Sequence, residues 1–118
     1  MKFNDLSKRL FEFSVNTITF LRQLPNDPEY KIIKYQLVKS STSSGANYEE
    51  AQGASSKADF HNKITISLRE IKESNYWLRL LKRIILFEYD QKELSSLIEE
   101  SYQLTKILGK ISSKTKKQ

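Results

Sequence analysis

Residues 40–54 read SSTSSGANYEEAQGA, from Ser40 to Ala54, and the fold turns on whether this stretch is a rod or a tether. Its Ser, Thr, Gly and Asn content is that of a flexible linker. Its spacing is not. Ile33, Leu37, Ser40, Ser44, Asn47, Ala51 and Ala54 follow one another at steps of four and three, the beat of a bundled helix seam. A disordered tether has no reason to keep that beat. The stretch is therefore the small-residue half of a long helix, whose short side chains let a neighbouring helix come close.

That neighbour lies downstream. Phe60, Ile64, Ser67, Ile71, Ser74, Leu78, Leu81 and Ile85 keep the same rhythm, and Ser67 and Ser74 interrupt an otherwise apolar line. Two seams carrying hydroxyls can pair them with each other or with carbonyls one turn back. Ser40, Ser44, Asn47, Ser67 and Ser74 are thus expected to form a structural polar seam, with Glu50 beside Asn47 joining it. Asn47 is expected to fix partner and register at some cost in stability.

Outward from this pair, a first helix is expected from Asn4 or Asp5, with Leu6, Leu10, Phe13, Thr17, Phe20 and Leu24 as its seam. Leu24-Pro25 ends it, because the residue before proline is pushed out of helical geometry. Asp27-Pro28 opens helix two, which runs to about Ala54. Ser56 with Asp59 reads as a capping box for helix three, which continues to about Phe87. Asp90 with Glu93 reads as another for helix four, through Leu94, Leu97, Ser101, Leu104, Leu108 and Ile111. The short connections make sequential helices antiparallel. The expected fold is all-α: an up-down-up-down four-helix bundle with long central helices two and three. It occupies residues 1–112 as one domain, followed by a frayed basic tail at 113–118. Helices two and three, at roughly 40–45 Å against roughly 30 Å for the outer pair, should project their hairpin beyond helix one or four.

Composition narrows the function classes. The 118 residues include no Cys, so neither a disulfide framework nor a thiolate metal site is available. The opening MKFNDLSKRLFEF returns to charge within a few residues and reads as lacking a signal-peptide core. No run of about 18 apolar residues occurs, so no membrane partner is expected. A di-metal carboxylate bundle needs Glu-x-x-His pairs, yet the single histidine, His61, follows Ala58 at that spacing. Glu49-Glu50 and Glu99-Glu100 are adjacent in sequence and diverge by about 100° on a helix. Gly45, Gly53 and Gly109 are isolated, so there is no glycine-rich phosphate loop. The expectation is a non-enzymatic protein without metal or cofactor.

Charge points elsewhere. Twenty Lys and Arg against fourteen acids give a net charge of +6, a bias toward polyanions. Arg69, Lys72, Tyr76, Arg79 and Arg83 recur at steps of three and four, each two positions before a seam residue, which is about 200° around the helix. The row therefore faces away from the core: a basic stripe with one aromatic, suited to a phosphate backbone and an unpaired base. The competing reading is a solvated face carrying pairs such as Arg69 with Glu73. Antiparallel helices also gather Lys2, Lys8, Arg9, Lys57, Lys63, Lys110, Lys114, Lys116 and Lys117 at one pole, with Lys57 and Lys63 as further nucleic-acid candidates. On late helix three, Trp77, Leu80, Ile84 and Phe87 form a second apolar stripe. That makes Trp77, Leu80 and Ile84 the candidate oligomer interface.

The segments DLSKRLFEF and LVKSSTSSGANYEEAQGASSKADFHNKITISLREIKESNYWLRLL carry a family likeness, most specific at Ser43–Ala51 and Glu73–Leu78. The chain resembles the four-helix bundle proteins encoded by intervening sequences of bacterial 23S ribosomal RNA genes. Gly53 and Ser67 depart from the pattern, where helix formers such as Ala are more usual. The resemblance implies a bacterial, cytoplasmic protein that assembles as a ring-like homopentamer. The chain is also similar to the accessory proteins of diversity-generating retroelements, which bind nucleic acid. Three functions are weighed: a homo-oligomeric bundle binding RNA or DNA non-specifically through basic surfaces, a protein–protein adaptor with no nucleic-acid role that docks its partner on the Trp77 face, or a ligand binder or enzyme, which would need a sizeable cavity near Ser40–Asn47.

Overall fold

The computed structural model describes residues 3–116. Four helices follow one another: α1 (Phe3–Leu21), α2 (Pro28–Ala51), α3 (Lys57–Ile84) and α4 (Gln91–Lys116). Each packs on the next and α4 closes against α1, while the diagonal pairs make no close contact among the described residues. This is the antiparallel four-helix bundle that the short connections require, an elongated body of 48 × 25 × 20 Å.

The helix boundaries have local causes. Asp27 precedes α2 with Pro28 in its first turn, although the Asp27 carboxylate makes no capping bond. Ser56 accepts the Asp59 amide at 3.0 Å, and the Asp59 carboxylate reaches back to the Ser55 amide at 3.1 Å. Asp90 accepts the Glu93 amide at 2.9 Å, capping α4. The first helix begins earlier than expected: it is already helical at Phe3, and Asp5 lies in its first turn, where a carboxylate favours the helix dipole. At the other end of α2, Gln52, Gly53 and Ala54 turn on amides bonded three residues back. α2 thus stops at Ala51, before Ala54. α3 ends at Ile84 where Ile85 turns extended, and Phe87 lies beyond it against Tyr30 and Tyr89.

One core joins all four helices. Leu6, Leu10, Phe13 and Phe20 of α1 meet Ile33 and Leu37 of α2, Ile64, Ile71, Leu78 and Leu81 of α3, and Leu94, Leu97, Leu104 and Leu108 of α4. Ser40 and Ser44 are fully buried in this core, so residues 40–51 are rod. Ser44 donates to the Ser67 carbonyl at 2.9 Å and Ser67 to the Ser44 carbonyl at 2.7 Å, a reciprocal clamp. Ser40 and Ser74 meet through their oxygens at 2.8 Å. Facing α1, Gly45 lies so close to Leu10 that an added Cβ would touch Leu10 Cβ at 3.5 Å.

Two members expected in the polar seam are elsewhere. After Ser44 the buried line continues through Tyr48 and Ala51, leaving Asn47 half-buried. The Asn47 amide donates to the Ser43 carbonyl at 2.9 Å on its own helix, so it fixes no partner. Glu50 is exposed and pairs with Lys63 at 3.5 Å. A large ring gains more from burial than an amide or a carboxylate, which decides which of the available positions turns inward.

The tail also differs from expectation. α4 passes through Gly109 and stays helical to Lys116, with Ile111 packed against the core and Thr115 bonded to His61 of α3 at 2.6 Å. At 26 residues α4 matches the central pair, so it flanks the α2–α3 hairpin, which does not project past it. Lys117 and Lys2 lie outside the described residues.

Candidate nucleic-acid interface

α3 is amphipathic in the strict sense that its two faces have different chemistry. Ile64, Ser67, Ile71, Ser74, Leu78 and Leu81 are buried. Arg69, Lys72, Tyr76, Arg79 and Arg83 are all exposed, as the 200° offset predicts. From Arg69 to Arg83 the row covers about 21 Å of helix. One strand of a nucleic acid rises by that length in about six nucleotides.

Its charges are largely uncompensated. Among the described residues only two ion pairs form, Arg9–Glu100 and Lys63–Glu50, and neither belongs to the row. The Arg69–Glu73 pair that the solvated-face reading invoked is absent among them. Glu73 instead accepts the Trp77 indole hydrogen at 3.1 Å. Arg79 is the one cation of the row with a fixed geometry: its Nε donates to Asn75 Oδ1 at 2.7 Å, and its guanidinium lies 5.9 Å from the Tyr76 ring centre. Nearby, burial holds the Glu70 carboxyl above its usual range, and the charge of Glu73 adds to this; Lys39 and Arg69 oppose it.

The remaining candidates divide. Lys57 is exposed at the start of α3, beside a small cavity of about 250 Å³ that it shares with His61, Thr115 and Lys116. Lys63 is half-buried and partly neutralised by Glu50. At the same pole Arg9 is engaged by Glu100 through two bonds, of 2.6 and 2.9 Å. A groove of about 620 Å³ between α1 and α4 surrounds that pair, and in it Asp5, Glu12, Glu93, Glu99 and Glu100 outnumber Lys8 and Arg9. A polyanion is repelled there, so the electrostatics favour the α3 face.

Trp77, Leu80 and Ile84 are each half-buried against the bundle's own core. Among the described residues, the large apolar side chains most open to solvent on helices are Phe11 (60%), Ile32 (60%) and Tyr35 (65%), on α1 and α2. The seam count did not mark these three, because a single apolar residue on an outer face breaks no period. Asn75 was missed for a similar reason: it follows Ser74 directly, and only its bond to Ser101 on α4, at 2.8 Å, reveals that it is buried. No group of three or more His, Cys, Asp or Glu among the described residues is arranged to hold a metal ion. No helix among them is long and apolar enough to cross a membrane.

The family model described as 23S rRNA-intervening sequence protein matches residues 3–110, nearly the whole bundle. The chain belongs to the 23S rRNA-intervening sequence protein family. A solved member of the S23 ribosomal protein family, a protein of unknown function from Bacteroides thetaiotaomicron VPI-5482, is 34% identical. The match covers 96% of this chain and 99% of that one, with a TM-score of 0.83. No curated protein matches the chain. In this intervening-sequence protein, the segments most specific to the likeness supply Ser44 of the serine clamp, from Ser43–Ala51 on α2, and Tyr76 of the basic row, from Glu73–Leu78 on α3.

Proposed function

We propose that this intervening-sequence protein is a non-enzymatic, self-associating helical scaffold that binds RNA or DNA through the phosphate backbone, in the cytoplasm of a bacterium. One observation carries the reading: Arg69, Lys72 and Arg83 stand in a solvent-facing row with Arg79 and Tyr76, and none of them has an ion pair among the described residues. A row serving only solubility would be expected to alternate in sign along the helix face. Copies in a ring, five of them as the family resemblance implies, would repeat the row on one surface and raise its potential. The Arg69→Glu, Arg79→Glu, Arg83→Glu triple variant tests it: gel-shift binding should vanish while the mass in solution and the helical circular dichroism stay unchanged. Retained binding by that variant, or none by the wild type, removes the proposal.

The adaptor reading draws on Phe11, Ile32 and Tyr35, whose exposure leaves apolar area on α1 and α2 without a partner in the monomer. Recovery of one specific protein, and no nucleic acid, in a pull-down would favour it.

A further inference from the structure

Asn75 connects the interior of the bundle to the exposed row. It is 7% exposed, and its Nδ2 donates to Ser101 Oγ of α4 at 2.8 Å. Ser101 donates its own hydrogen to the Ile98 carbonyl at 2.7 Å, so its oxygen is left to accept. That fixes which way the Asn75 amide points. The nitrogen faces α4, and Oδ1 faces outward, where it takes the Arg79 Nε hydrogen at 2.7 Å. Held there, the Arg79 guanidinium sits 5.9 Å from the centre of the Tyr76 ring. Tyr76 also meets Trp77 edge-on, with centroids 5.2 Å apart and planes at 78°. The ring is nevertheless 51% exposed.

A hydrogen-bond relay anchored on α4 therefore holds a half-exposed aromatic ring together with a cation whose terminal nitrogens have no hydrogen-bond partner among the described residues. Orienting both groups before a ligand arrives removes an entropic cost from binding. A stacked duplex offers such a ring only backbone and base edges, whereas an unpaired nucleotide offers a π-face. We propose that Tyr76 and Arg79 form a preorganised subsite for one unpaired nucleotide of a single-stranded nucleic acid, with the base on the ring and a phosphate on the guanidinium, and that Asn75 is the positioning residue that sets it. This rests on the reading of the α3 row as a nucleic-acid interface.

The test compares a short oligo-adenylate with the duplex of the same length, by fluorescence anisotropy at fixed salt. Emission from Trp77, the chain's single tryptophan, is the second readout. The wild type should prefer the single strand, and its emission should change on binding. Tyr76→Ala should lose about tenfold in single-strand affinity, leave duplex binding within about twofold, and abolish the emission change. Asn75→Leu, which removes both the donor to Ser101 and the acceptor for Arg79, should lower the single-strand preference. Should Asn75→Leu unfold, Arg79→Lys makes the same test from the surface, keeping the charge but losing the planar fork. Equal wild-type affinity for both forms, or full single-strand affinity in Tyr76→Ala, overturns the subsite and leaves the backbone reading standing. Absence of binding to either form overturns both.

Discussion

Thr17 shows what one buried atom does to this bundle. Its side chain is fully buried in the α1 seam, and its Oγ1 has no hydrogen-bond partner among the described residues. An unsatisfied buried hydroxyl costs about 1–3 kcal/mol, whereas a methyl of similar size costs nothing of that kind. Thr17→Val should therefore raise stability by about 1 kcal/mol, seen as a higher urea midpoint at unchanged m-value. A lower midpoint would mean that the hydroxyl has a partner after all. Ser67 is the opposite case, because its hydroxyl closes the clamp on Ser44. Glu70 adds a pH dependence. Its carboxyl is held above the ordinary value, chiefly by burial, so the folded chain binds that proton more tightly than the unfolded one. Stability from this site is then fully present in acid and is lost as pH rises from the ordinary carboxylate range through the raised folded value. Glu70→Gln should have the higher melting temperature at neutral pH, with the gap closing below the ordinary carboxylate range. A gap that widens in acid would contradict the assigned direction.

Elements follow from such residues through period and caps. In α4, Gly109 lies inside a continuous helix with nothing within 4 Å of where a Cβ would be. Gly109→Ala should accordingly stabilise by about 1 kcal/mol, because it removes backbone entropy from the unfolded chain without steric penalty. Differential scanning calorimetry would show this, and an unchanged or lower midpoint would place that turn outside the cooperative unit. The same glycine explains why the sequence suggested a frayed tail. Glycine and lysines read as an ending, but the anchors, Ile111 on the core and Thr115 on His61, depend on how long α3 is. The four–three count recovered the serine pairs because hydroxyls were the only side chains at those steps. It failed at Asn47 because Tyr48 was one position away and satisfied the period equally well. Periodicity specifies a face to within one residue, and burial energy then chooses between neighbours. The outward row was legible because five residues shared one offset from the seam, and the apolar neighbours that follow three of them, Trp77, Leu80 and Ile84, are the ones that turn toward the core. Asn75 left no such trace, since its role is defined by Ser101 and Arg79, partners that only the folded bundle assembles.

At the scale of the molecule, the deciding quantity is how charge is distributed on a body of net +6. The α1–α4 groove gathers Asp5, Glu12, Glu93 and Glu99 around the Arg9–Glu100 pair, while the four cations of the α3 row have no ion pair among the described residues. On the proposed reading, a polyanion is drawn to the α3 row in preference to that groove. Binding through four cations displaces counterions from about four phosphates, so log K should fall against log salt with a slope of about −3 for a single strand. Arg69→Gln removes one contact and should flatten that slope by about 0.7, because Arg69 is exposed and has no ion partner among the described residues to release. Lys63→Gln should change it less, since Glu50 already offsets that charge at 3.5 Å. The ordering matters more than either value. Local pairing predicts that the α3 row dominates, whereas net charge alone would make every lysine equivalent. Titrations of these two variants from low to moderate salt separate the cases, and equal slopes for Arg69→Gln and Lys63→Gln would mean that attraction comes from the whole surface and not from this face of α3.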